Sequence, residues 1–328
     1  MKARPAIACL GAGRMARGIA VVFAYAGHRV AILDVKARDE AGYAEQAAAA
    51  IAEVRGILAT FAEFGLLPAG AVAGVLARVS VPRERDWAAA LAPAAVVFEA
   101  VPEVLELKRQ VLARLCPLAP ASIIASTTST ILVDELARAV AAPERFLNAH
   151  WLNPAFLVPL VELSPGAGTA PGVTQRLQAL LESVGKVPVV CAARPGYIVP
   201  RIQALAMNEA ARLVEEGVAS AEDIDKAIKY GFGVRFATLG MLEFIDWGGG
   251  DILYYASRYL TGALASERYA APPIVERNMA EDRIGLKTGK GFMSYEGLDV
   301  DAYRRQRLEA FVKLLGHLGL TRAPVLPD

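Results

Sequence analysis

His150 and Glu162 are the two side chains of this chain best placed to move a proton. They stand twelve residues apart, in the stretch Asn148-Ala149-His150-Trp151-Leu152-Asn153-Pro154 and on to Val161-Glu162-Leu163. Residues 146–149 and 160–163 are short, largely apolar runs that read as strands. Pro154 and Pro159 argue against a helix between them. A strand, a Pro-broken loop and a second strand would bring the two side chains together. A neutral imidazole oriented by a carboxylate is poised to take a proton near neutral pH. The chain has only three His, which makes one flanked by polar and turn residues stand out. A surface-loop His and an unrelated strand Glu would satisfy the same spacing, so the pair alone leaves both readings open.

The elements that would position a cofactor beside this pair lie at the start of the chain. Residues 6–10 form a short apolar run, hence a buried strand. Gly11-Ala12-Gly13-Arg14-Met15-Ala16 follows, then an apolar helical stretch from Gly18, then a second strand at 30–33 that ends in Asp34. This is G-x-G-x-x-A in its required context of strand, glycine turn, helix, strand and acid. Gly11 permits the tight turn, and Gly13 lets the backbone approach a pyrophosphate. Met15 sits within the turn, and Ala16 is small enough for close helix–strand packing. The helix N-terminus offers free N–H groups and a positive dipole end to the phosphates. Asp34, 21 residues after Gly13, stands where a carboxylate takes the adenosine ribose hydroxyls. The acid favours NAD over NADP by repelling a 2′-phosphate, against a counter-pull from Lys36 and Arg38.

Several further segments, in order, resemble the 3-hydroxyacyl-CoA dehydrogenase family over nearly the whole chain. Phe98-Glu99-Ala100-Val101-Pro102-Glu103-Val104-Leu105-Glu106-Leu107-Lys108 is similar to its E-A-x-x-E-N-L-x-x-K segment. Ser126-Thr127-Thr128-Ser129-Thr130 is similar to S-N-T-S-S, and His150 to Glu162 to H-x-x-N-P…V-E with the same spacing. Pro195-Gly196-Tyr197-Ile198-Val199 resembles P-G-F-x-x, and Lys287-Thr288-Gly289-Lys290-Gly291-Phe292 resembles K-T-G-E-G-F.

The resemblance implies roles. His150 would remove the hydroxyl proton while hydride leaves for the nicotinamide, and Glu162 would orient and charge-stabilise it. Ser129 would hydrogen-bond the substrate oxygen, and Asn153 would help shape the site. Glu103 and Lys108 would sit by the cofactor and the pocket mouth. Plainer roles compete: Ser129 as the N-cap of a helix from Ile131 onward, Glu103 and Lys108 as a helix-surface pair, Asn153 as an Asn-Pro turn.

Two departures bear on the substrate. The family's P-G-F-x-x-N-R carries an active-site Asn where this chain has Pro200, a residue that suits the first turn of a helix. Acyl-CoA members place lysines after the second strand to meet CoA phosphates, yet residues 41–107 contain no lysine. Residues 101–108 resemble the V-P-E-N-L-E-L-K of the lambda-crystallin, or L-gulonate 3-dehydrogenase, branch. Residues 213–218 and 231–237 resemble that branch and the carnitine dehydrogenases. A pyridine-carboxylate dehydrogenase of vitamin B6 breakdown shares the H-W-x-N-P segment. These relatives act on free carboxylates, which Arg235 could clamp with two parallel hydrogen bonds. An Arg capping a helix C-terminus is the alternative. A non-catalytic, crystallin-like NAD-binding protein is the competing function, opposed by the intact Ser129, His150 and Glu162 set.

Composition excludes other classes. The 328 residues suffice for two domains. Thirty-five Lys and Arg against 34 Asp and Glu leave no footprint for nucleic acid. Cys9, Cys116 and Cys191 show neither metal spacing nor a disulfide framework, and Cys9 reads as a small core residue. The early apolar run is broken at once by Gly11 to Arg14, unlike a signal peptide, and no run is long enough for a membrane span. The expectation is a cytoplasmic enzyme. Strand and helix signals alternate through Val190, as in a doubly wound sheet, and Pro188 assigns the late strand at 187–191 to an edge. Beyond Pro195-Gly196 the signals are helical, with Ser220 opening a helix. The predicted fold is α/β: a Rossmann-type NAD-binding domain over 1–194, then an all-α substrate and dimerisation domain over 195–328. The Ala-rich helices carry more apolar surface than a small bundle needs, and relatives dimerise through this region, so a homodimer is expected.

Overall fold

The computed structural model describes residues 4–325. It divides into two compact units, Met1–Ala206 and Met207–Asp328. The first holds one eight-stranded sheet made of β1 (Ala6–Leu10), β2 (Val30–Leu33), β3 (Val79–Ser80), β4 (Ala94–Glu99), β5 (Ile123–Ser126), β6 (Phe146–Trp151), β7 (Leu160–Pro165) and β8 (Val187–Val190). The strand order is β3-β2-β1-β4-β5-β6-β7-β8. Neighbours are parallel except β6 and β7, which run antiparallel. Both faces of β1 are covered, as a parallel strand requires. Ile7 and Cys9 enter one core layer with Phe23 and Phe98, and Ala8 and Leu10 enter the other with Leu91 and Leu112. That split follows from the two-residue side-chain period of a strand. The fold is the Rossmann-type doubly wound sheet expected from the sequence, followed by a helical C-terminal region. Cys9 is the buried core residue it was expected to be, and Pro188 lies on the edge strand β8.

The chain runs outward from β1 to β2 and β3, then returns to place β4 on the other side of β1. Strand order therefore reverses between β1 and β4, which opens a crevice at their carboxyl ends. Helix α1 (Arg14–Tyr25) leaves β1 through the glycine turn. Gly11 adopts φ +104°, and a Cβ there would lie 2.9 Å from the Ala100 carbonyl oxygen, so no other residue fits. Helix α2 (Glu40–Glu63) is capped by Asp39, which accepts from the Gly42 amide at 2.8 Å. It buries Ala50, Val54, Leu58 and Phe61 at helical spacing.

One correction concerns β6. It extends to Trp151, two residues past the apolar run at 146–149, so His150 lies inside a strand and not in the loop. The loop from β6 to β7 is pinned from outside the hairpin. Lys186 Nζ donates to the carbonyls of Ala155 and Val158 at 2.6 and 2.7 Å, and burial pulls its pKa down to about 8.

In the second unit the main helices are Ala221–Ala227, Met241–Gly248, Gly250–Ala263, Pro273–Ala280 and Val300–His317. Ser220 caps the first, accepting from the Asp223 amide at 3.1 Å. The glycines at 248–250 make a one-residue break between two helices, with Gly249 at φ +113°. Buried Asp246 accepts from the Phe292 and Met293 amides at 3.0 and 2.9 Å. A Cβ on Gly291 would lie 2.1 Å from the Asp246 Oδ1 atom, which accounts for that glycine in the K-T-G-K-G-F segment.

Candidate active site

The register of β6 against β7 sets His150 directly opposite Glu162. Facing residues of an antiparallel pair bring their Cβ atoms to about 5 Å, within reach of a hydrogen bond. His150 Nδ1–H donates to Glu162 Oε2 at 2.8 Å, and both side chains are buried. The other carboxylate oxygen, Oε1, accepts from the Ile198 and Val199 amides, each at 2.9 Å. These amides open the helix Val199–Glu215, whose free N–H groups and dipole favour an anion. Burial alone would raise the Glu162 pKa. The hydrogen bonds from His150, Val199 and Ile198 outweigh it and hold the carboxyl below its usual range. An ionised carboxylate only accepts, so the imidazole proton is on Nδ1 and Nε2 is the free basic nitrogen.

A second cluster shapes the turn that carries Ser129. Glu103 Oε1 accepts from the Thr128 hydroxyl at 2.5 Å, the Ser129 amide at 2.8 Å, and the Thr130 amide and hydroxyl, both at 2.9 Å. Burial would raise the pKa of Glu103, but the Thr128 hydroxyl, Lys108 and the two Thr130 bonds bring it below the usual range. The Ser129 side chain is exposed. The next helix begins at Val133 without a side-chain cap, so Ser129 is not its N-cap.

Lys108 also departs from a surface pair. It is 1% exposed. Its Nζ donates to both Glu99 oxygens at 2.9 and 3.1 Å and to the Val101 carbonyl at 3.1 Å, and it lies 3.4 Å from Glu103. Glu99 and Ser126 end the adjacent strands β4 and β5 in register. The Ser126 hydroxyl donates to Glu99 at 2.5 Å. Lys108 thus ties two strand ends to the carboxylate that holds the Ser129 turn.

The crevice at the ends of β1, β2 and β4 contains a cavity of about 530 Å³ lined by Gly11, Gly13, Met15, Asp34 and Val101 among others. Ala16 is buried and packs α1 onto the sheet. The α1 N-terminus is bare: Gly13 supplies no side-chain cap, the first turn has no acid, and a Cβ on Gly13 would meet nothing within 4 Å. Asp34 accepts from the Arg38 guanidinium and, at 3.4 Å, from the Lys36 amide. An open helix N-terminus for a pyrophosphate and a carboxylate one strand away for a ribose fit a dinucleotide.

The sequence profile of the 3-hydroxyacyl-CoA dehydrogenase NAD-binding domain matches residues 6–194, and that of the family's C-terminal domain matches residues 196–295. The chain belongs to the 3-hydroxyacyl-CoA dehydrogenase family. It is an NAD-dependent oxidoreductase by that membership. It is 32% identical to a 5-formyl-3-hydroxy-2-methylpyridine 4-carboxylate 5-dehydrogenase of Mesorhizobium japonicum, across 93% of this chain and 96% of that protein. It is 33% identical to a 3-hydroxybutyryl-CoA dehydrogenase of Bradyrhizobium diazoefficiens, across 89% and 95%. The crystal structure of a 3-hydroxyacyl-CoA dehydrogenase from Archaeoglobus fulgidus aligns with TM-score 0.74 at 31% identity, covering 97% of this chain and 100% of that one.

In this dehydrogenase the expected residues divide into groups. His150 and Glu162 are bonded to each other, and Glu103 holds Ser129 by its amide. Asn153 is exposed, two residues after β6, and precedes a cis Asn153–Pro154 peptide. Arg235 lies in the second unit, its guanidinium 5.0 Å from the Phe244 ring centre, with no carboxylate partner among the described residues. Sequence reasoning missed Glu99 and Ser126 beneath Lys108, the Arg38 partner of Asp34, and Tyr197, whose ring stacks on His150. The signal for Tyr197 was a tyrosine where the family's P-G-F has phenylalanine.

Proposed function

We propose that this dehydrogenase oxidises a hydroxyl β to a carboxyl or thioester carbonyl, or reduces the matching ketone, with His150 as the base. The observation that carries the reading is the 2.8 Å bond from His150 Nδ1–H to a carboxylate whose other oxygen is saturated by two amides. That bond fixes the tautomer and leaves Nε2 to take the hydroxyl proton as the carbinol carbon gives up hydride. The resulting imidazolium keeps its counter-charge in Glu162. Ser129 holds the substrate oxygen, and Asn153 completes the rim. Gly11, Gly13 and Met15 would take the pyrophosphate side of the cofactor, and Asp34 its ribose; NAD when bound supplies the hydride acceptor. Absorbance of NADH on mixing enzyme and NAD with 3-hydroxy acids and with 3-hydroxyacyl thioesters tests this. Silence with every 3-hydroxy substrate would favour a non-catalytic, crystallin-like NAD binder.

NAD is the preferred cofactor because Asp34 repels a 2′-phosphate and also occupies Arg38. In Asp34→Ala that guanidinium is released and can meet a phosphate with parallel hydrogen bonds. The ratio of NAD to NADP efficiency should fall in the variant. Equal use of both cofactors by the wild type would contradict the assignment.

The free-acid class of substrate is favoured over CoA thioesters. The helix that follows β2 carries alanines and no lysine for CoA phosphates, and Arg235 has no carboxylate partner among the described residues. If Arg235 clamps a substrate carboxylate, Arg235→Ala forfeits a charge-assisted contact worth about 1.5–3 kcal/mol. The Michaelis constant for a 3-hydroxy acid should then rise about ten- to hundredfold. A wild-type preference for acetoacetyl-CoA over acetoacetate that survives Arg235→Ala would reverse the assignment.

The helical region after Gly196 serves as the substrate and dimerisation domain, and the protein is cytoplasmic. Ile252, Tyr255 and Tyr259 line one exposed face of the helix Gly250–Ala263, and Leu308 and Val312 line one of the helix Val300–His317. Apolar stripes of this kind are normally covered, and two-fold pairing would bury them against their copies. Light scattering at micromolar concentration should give twice the chain mass; a monomer would contradict the dimer.

A further inference from the structure

Tyr197 is joined to both halves of the site. Its ring lies flat on the His150 imidazole, with centroids 4.9 Å apart and planes 10° from parallel. Its hydroxyl donates to the Thr128 carbonyl at 2.8 Å and accepts from Asn148 Nδ2 at 3.0 Å. Thr128 immediately precedes Ser129. Asn148 precedes His150 by two residues on β6, so both side chains leave the same face of the strand. Asn148 Nδ2 also donates to the Ile131 carbonyl at 2.9 Å, on the far side of the Ser129 turn. Tyr197 is buried and sits at φ +46°, a left-handed conformation that a bulky residue rarely adopts. Such a conformation persists where surrounding contacts over-determine it, and it gathers at functional sites. Burial pushes the phenol pKa up, so the hydroxyl remains a neutral donor.

We propose that Tyr197 is a positioning residue for the dehydrogenase reaction: its ring fixes the plane of His150, and its hydroxyl holds the Ser129 turn at a set distance from that imidazole. The ring does the first task by packing, since an imidazole hydrogen-bonded at Nδ1 alone can still swing about that bond. The hydroxyl does the second by bonding at once to the turn and to the strand that carries the base. A phenylalanine at this position can perform only the first task.

The proposal rests on His150 being the base, and the test separates the two. NAD affinity by fluorescence titration, kcat, and the primary deuterium isotope effect with substrate labelled at the carbinol carbon are measured for Tyr197→Phe, Tyr197→Leu, His150→Gln and the double variant His150→Gln/Tyr197→Leu. Tyr197→Phe should lose about two- to tenfold in kcat, the scale of one neutral hydrogen bond. Tyr197→Leu should lose about a hundredfold, the scale of a misplaced reacting group. In both, NAD affinity should hold and the isotope effect should rise as hydride transfer becomes limiting. In the His150→Gln background the leucine should cost little more, because residues that act through one another are not additive. Loss of activity in His150→Gln with wild-type kcat in Tyr197→Leu overturns the positioning role and leaves the base standing. Retained kcat in His150→Gln overturns both. Equal losses in Tyr197→Phe and Tyr197→Leu, with NAD affinity falling in parallel, would mark Tyr197 as general packing and overturn the proposal. Should Tyr197→Leu not fold, Tyr197→Phe decides, and an unchanged kcat there overturns it.

Discussion

His150→Gln will lower turnover by about two to four orders of magnitude, the contribution of a well-placed general base. Glutamine is close to imidazole in size, and its amide can still meet Glu162, so the hairpin should stay paired. What disappears is the nitrogen able to accept the hydroxyl proton. The cavity at the glycine turn is built from β1, β2, β4 and α1, so NAD should bind with unchanged affinity. The check is kcat at saturating substrate beside a titration of NAD. Near-wild-type turnover would remove His150 from the mechanism.

Glu162→Gln should be nearly as damaging, for a different reason. The carboxylate offers two accepting oxygens: one faces two backbone amides, the other faces His150 Nδ1–H. A glutamine has a single accepting oxygen. Turned toward the amides it keeps two bonds, and its NH₂ group then points at His150 Nδ1. The imidazole must answer by accepting there, which moves its proton to Nε2 and leaves no lone pair for the substrate. Turned the other way, the NH₂ group faces two backbone donors and keeps its oxygen on His150 Nδ1–H. The first arrangement disables the base, the second sets donor against donor, and in both the loss of charge removes the counter-ion of the imidazolium. A wrong tautomer held by a neutral amide costs about four orders of magnitude in the serine-protease triad. About two to four are expected here, with the fold intact by circular dichroism. A variant within tenfold of wild type would show that Glu162 does not set the tautomer. The acid limb of stability gives an independent reading. The carboxyl pKa is lowered in the folded chain, so its stabilising contribution is complete above its ordinary value of 4.5 and drains away as pH falls through the lowered value. Glu162→Gln should flatten that part of the melting profile.

The local features were legible and the non-local ones were not. Gly11, Gly13 and Asp34 follow from a turn and two neighbouring strands, and each element announces itself within a few residues. The two short apolar runs around Pro154 and Pro159 were visible as strands, but their register was not, and register is what faces His150 with Glu162. Lys108 reads as a surface residue of an amphipathic helix. Its burial depends on Glu99 and Ser126 meeting at the ends of two parallel strands, a contact that no local pattern encodes. The Arg38–Asp34 pair is four residues apart yet equally hidden, because a salt bridge competes with solvent and no sequence pattern says which wins. Tyr197 stands in the segment Pro195-Gly196-Tyr197 at the domain boundary, where an aromatic reads as packing.

The hairpin that joins β6 to β7 separates two kinds of evolutionary freedom. Eight residues, 152–159, connect strands whose pairing sets His150 against Glu162. Within either strand, a deletion of one residue would turn a whole side-chain row to the opposite face and bring Val161 or Leu163 opposite the imidazole. Within the loop, the same deletion leaves the pairing untouched. Insertions and deletions there can remodel the loop around Asn153 while the His150–Glu162 pair is inherited intact. With His150 as the base proposed above, a lineage of this architecture would exchange substrates by loop drift without passing through an inactive ancestor.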